Sequence, residues 1–157
     1  MEKTKLLKDL EEKFKKSKTE IGFSPDLEDI DRIFFIKDAI LKEGFISERF
    51  SRQLCYRIVE NYMGWNDYLH SIIMPNPQNI LNMSESKIFS QEEKKEIVEL
   101  MKKLMSISSR NSLIGLTKDQ KAEKEFIDYS VDFWEKEFKE KITKIMAKVN
   151  KEWERPQ

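Results

Sequence analysis

The chain has a single cysteine, a single histidine, four glycines and four prolines in 157 residues. With Cys55 alone, an intrachain disulfide framework and any multi-cysteine metal site are excluded, and a reducing compartment, the cytoplasm, is the expected location. His70 shares a helical face with Asp67, but di-iron bundles need two Glu-x-x-His pairs and zinc sites need more soft ligands than one imidazole. No metal or cofactor is expected. So few glycines leave neither GxGxxG nor GxxxxGK[ST], the loops that cradle phosphates. Net charge is missing as well: 29 acidic and 29 basic residues cancel, and no global field draws the chain toward nucleic acid or an anionic membrane. Nowhere do about eighteen apolar residues run together, and the opening MEKTKLLKDLEEKFKK lacks a signal-peptide core, so no membrane partner and no export are expected.

What remains is rich in helix-forming material. Charged residues make up 37% of the chain and hydrophobic residues 39%, a mixture that favours long helices with one solvated face. The expected fold is all-α, a bundle of about five helices ending in a long C-terminal helix, within one domain over residues 1–157. Residues 1–22 read as a peripheral helix carrying a narrow stripe of Leu6, Leu10 and Phe14. A second helix follows Ser24-Pro25, with Leu27, Ile30, Ile33, Phe34, Ile40 and Leu41 on its apolar face and Gly44 at its end. Ser47 and Glu48 open a third, whose stripe Phe50, Leu54, Ile58 and Tyr62 repeats every four residues and can continue past Gly64 to Ile73. The prolines at 75 and 77 then force a loop.

Two capping signatures follow. Ser90 with Glu93 predicts a fourth helix through Ile97, Leu100 and Leu104, with a bend or fraying at the polar SISSRNS segment. Thr117 with Gln120 repeats the pattern before an unbroken stripe of Ile127, Val131, Trp134, Phe138, Ile142, Ile145, Val149 and Trp153. A helix over residues 118–154 would span roughly 55 Å at the usual rise per residue. Trp153, near the end of that spine, requires a surface to cover it. Trp134, Phe138 and Trp153 are therefore the candidate partner-binding residues, for a protein partner or a second copy of the chain.

Arginine is unevenly placed. Three of the six, Arg49, Arg52 and Arg57, fall within nine positions. A guanidinium offers a planar fork of donors suited to carboxylates and phosphates. The second helix, the GFIS turn and the third helix also match the outline of a helix-turn-helix over about residues 27–62, in which Arg49, Arg52, Gln53 and Tyr56 would meet DNA. Ion pairs along the helix surface, Glu48 with Arg52 and Arg57 with Glu60, account for the same residues without a ligand. Arg110, among Ser108, Ser109, Asn111 and Ser112, is a further candidate anion contact. No nucleophile, base and orienting group share a recognisable spacing, since Cys55 lies mid-helix and far from His70. The sequence thus reads as a non-enzymatic binding or scaffolding module acting through protein contacts. A DNA-binding regulator is the alternative.

Overall fold

In the computed structural model, which describes residues 2–156, all regular structure is helical and no strand occurs among the described residues. The elements are α1 (Glu2–Ile21), α2 (Leu27–Phe34), α3 (Ile36–Glu43), α4 (Phe50–Ile73), α5 (Ile80–Lys87), α6 (Gln91–Thr117), α7 (Gln120–Phe133) and α8 (Lys139–Glu154). A π-helical turn, Trp134–Phe138, joins α7 to α8 in one uninterrupted helical run. No helix among the described residues is long and apolar enough to cross a membrane.

Several boundaries differ from the sequence reading, each for a local reason. Leu27, not Pro25, opens α2, because Asp26 and Asp29 form a reciprocal capping box. The Ser24 amide instead donates to Asp128 Oδ1 at 2.7 Å. The expected second helix is split at Phe35, which takes a left-handed conformation with φ 55°. Such a conformation is costly for a bulky residue and needs compensation. Asp31 Oδ1 accepts from the Lys37 amide at 2.9 Å, and Arg57 Nε donates to the Phe34 carbonyl at 2.7 Å. These bonds satisfy groups that the break would otherwise strand. Gly44 ends α3 as expected, with φ 81° and its amide donating to the Ile40 carbonyl. Ser47 Oγ accepts from the Arg49 amide, and the Arg49 carbonyl takes the first helical bond of α4 from Gln53.

The capping box at Ser90 and Glu93 forms as the sequence predicts, with bonds of 2.9 and 3.1 Å. The SISSRNS segment does not fray: α6 runs through it with Ile107 and Asn111 buried. Tertiary anchoring there overrides weak helix propensity. Thr117 does not cap α7. It closes α6, Lys118 turns left-handed, and Asp119 Oδ1 accepts from the Lys121 and Ala122 amides.

The described residues fall into two compact units, each drawing on two stretches of chain. In the unit of residues 2–61 and 107–132, α1 packs against α3, and its Leu10 and Phe14 are buried. The Phe14 ring meets Phe23 edge-on at 5.4 Å and Phe50 at 6.3 Å. Edge-to-face stacking of this kind adds to the value of burial itself. The unit of residues 62–106 and 133–156 centres on Tyr62, Phe133 and Phe138, with Trp65 and Trp134 at its margin. All three tryptophans belong to it.

Candidate functional site

A concave feature with an apolar floor lies within the second unit, between the first half of α6 and α8. Helix α6 is held at its start by the Ser90–Glu93 box, and Glu93 reaches out of that box to α8. Lys148 Nζ donates to both Glu93 carboxylate oxygens at 2.6 Å. Three turns further along, Lys103 pairs with Glu137, which also accepts from Lys141 at 2.7 Å. As the α6 number rises from 93 to 103 its partner falls from 148 to 137, so the two helices run antiparallel in matched register.

Between those two ties the helices leave a groove of 530 Å³. Phe89, Ile97, Leu100 and Ile145 form its floor. The α6 wall carries Glu93, Glu96 and Glu99, and the α8 wall carries Lys141, Lys144 and Lys148. Both tied carboxylates sit below their ordinary range: Lys148 and then the Ser90 amide hold Glu93 ionised, while Lys103 and then Lys141 do so for Glu137. In the middle of the groove the charges are less committed. Glu99 and Lys144 make only exposed pairs within their own helices, to Lys102 and Glu140. Glu96 has no ion pair among the described residues.

The residues singled out from the sequence are scattered by comparison. Phe138 is fully buried, with its ring 5.4 Å from Trp134 and 5.6 Å from Tyr62. It is the last residue of the π-turn and part of the core of its unit. Trp134 is partly buried beside it. Trp153 is 48% exposed, and its indole Nε1 donates to Glu85 Oε2 at 2.8 Å. The other Glu85 oxygen accepts from the Tyr68 hydroxyl at 3.0 Å, and burial together with that carboxylate pushes the phenol well up. Glu85 thus clips α8 and α4 to α5.

No family model, no curated protein and no solved structure matches the chain. Roles for the arginines therefore rest on their partners within the first unit. Arg52 is mostly enclosed. It pairs with buried Glu123 at 3.1 Å, donates to Asn111 Oδ1 at 2.8 Å and lies 5.3 Å over the Tyr56 ring. The Glu48 pairing expected from spacing is replaced by this one, across 71 positions of sequence. Arg57 caps the end of α2 and pairs with Glu60 at 3.2 Å. The Gln53 amide donates to Glu43 and its oxygen accepts from the Ser47 amide. Arg110 lies 4.7 Å over Tyr129. Arg49 alone of the cluster is exposed, at the edge of a 280 Å³ cleft it shares with Arg52, Lys118 and Glu123.

Cys55 is fully buried, and burial first, then the Glu123 charge, pushes its thiol far up. A thiol so disposed is not a nucleophile. Sequence reasoning passed over the groove. Its signal was present as lysines at 141, 144, 148 and 151, spaced for one helical face, and as glutamates at 92, 93, 96 and 99. Only a fold brings those two stripes side by side.

Proposed function

We propose that this chain is a helical protein-interaction module, and that the groove between α6 and α8 is where a partner helix docks. The reading rests on one observation: a groove whose apolar floor shows part-exposed Ile145 above buried Phe89, Ile97 and Leu100, flanked by a wall of glutamates and a wall of lysines. A groove of that kind accepts an amphipathic helix whose apolar ridge enters the floor, with basic residues along one flank and acidic residues along the other. No reaction is implied. The single buried cysteine is in keeping with a cytoplasmic setting.

Against the helix-turn-helix reading stand the inward commitments of Arg52, Arg57 and Gln53, which leave Arg49 and Tyr56 to face a duplex. Fluorescence anisotropy with a labelled synthetic helix of Leu ridge, Lys flank and Glu flank tests the interaction reading. Saturable binding is expected for the wild-type chain, with loss of binding in Ile145→Glu, which places a carboxylate on the floor. Absence of binding by the folded wild-type chain would overturn the proposal.

A further inference from the structure

The geometry points to a second copy of this chain as the occupant of the groove, an inference that rests on the interaction reading above. It follows from how the charges are arranged. The Glu93–Lys148 tie and the Lys103–Glu137 tie place each α6 residue level with the α8 residue whose number completes nearly the same total. On that register Glu96 stands level with Lys144, and Glu99 level with Lys141.

Consider a second copy placed face to face over the groove and related by a two-fold axis parallel to it. That operation exchanges left and right but keeps height. The α6 of each copy then lies over the α8 of the other, antiparallel to it, and every acidic wall meets a basic wall. Glu96 of each copy comes over Lys144 of its mate, and Glu99 over Lys141. The alternative face-to-face axis, across the groove, sets α6 over α6 and opposes glutamate to glutamate. Like charges at an interface penalise that arrangement, so the walls select one orientation. In the selected orientation Ile145 of each copy is covered at the centre of a four-helix arrangement of the kind antiparallel pairs form, and the charged walls carry the selectivity.

The area sets the strength. Helix α8 has 16 residues and is about 24 Å long, and two helices side by side are about 20 Å wide. The paired faces would cover roughly 1,000 Å² in total, the lower limit for a specific interface. Such a dimer is concentration-dependent and, with its rim pairs exposed, weakened by salt.

Sedimentation velocity of the full chain at low salt, at concentrations up to about 1 mM, reads the state directly. A mass that doubles with concentration is expected. Glu96→Lys and Lys144→Glu, each a surface change, convert two symmetric attractions into two repulsions and should weaken the dimer by about tenfold or more. Mixed in equal amounts they restore both attractions, so a heterodimer should form between two variants that each remain monomeric. Glu99→Lys with Lys141→Glu repeats the test at the other matched height. A dimer indifferent to these variants, or a mixture that stays monomeric, overturns the inference. A wild-type chain that is monomeric throughout also overturns it. If that monomer still binds the synthetic helix, the interaction reading stands and the occupant is another protein; if it does not, both fall.

Discussion

Arginine 52 shows how much a single side chain commits. Its guanidinium is 19% exposed and the Glu123 carboxylate 7% exposed, with Asn111 completing the set at 2.8 Å. Removing one member of a buried ion pair leaves the other charge without compensation, which costs more than the pair contributes. Arg52→Ala is accordingly expected to destabilise the chain by about 3 kcal/mol in urea unfolding. Arg49→Ala, at an exposed position, should stay within about 0.5 kcal/mol. A loss at position 52 no larger than at position 49 would show that Glu123 finds another partner. The contrast also bears on the clustering of these arginines. Arg52 neutralises a buried carboxylate, and Arg57 caps a helix that ends early at a left-handed Phe35; both tasks suit a fork of donors better than an ammonium.

At the scale of elements, caps are where the chain couples local and distant structure. Glu93 serves α6 twice, as the reciprocal half of the Ser90 box and as the anchor for Lys148 of α8. Its carboxyl titrates below its ordinary 4.5 in the folded chain, chiefly through the Lys148 hydrogen bond. A group whose folded pKa is lowered binds fewer protons folded than unfolded. Its stabilising contribution is therefore complete above 4.5 and fades as pH falls through the folded value. With side chains 39% and 38% exposed the pair is partly screened, so the effect is modest. Urea unfolding at pH 7 and at pH 3 should show wild type losing more stability on acidification than Glu93→Gln. An equal loss in both would place the pH dependence elsewhere.

Much of this level was legible in the sequence. The stripe Phe50, Leu54, Ile58 and Tyr62 is buried throughout, and the Ser90 box forms as its spacing predicts. Periodicity and capping depend on neighbours within a turn, and those can be read along a line. The left-handed Phe35, the π-turn and the Arg52–Glu123 pair depend on groups brought together by packing, and no local pattern announces them. The groove is of the same kind. Each charged stripe was visible alone, but their matched heights exist only once α6 and α8 lie antiparallel.

For the whole molecule, the two units divide the chain in an interleaved way. Helices α4 and α6 each give residues to both units, and residues 107–132 and 133–156 of the chain belong to different ones. Neither unit can unravel without interrupting hydrogen-bonded ladders that continue into the other, so unfolding is expected to be a single cooperative event. The placement of the three indoles makes that expectation measurable without any label. Residues 62–106 and 133–156 hold Trp65, Trp134 and Trp153, whereas 2–61 and 107–132 hold none. Emission excited at the red edge of the near-ultraviolet band thus reports one unit by itself, and far-ultraviolet ellipticity reports both. Coincident thermal curves from the two signals are the expected result, and an optical transition that precedes the loss of ellipticity would reveal a chain whose halves melt in turn.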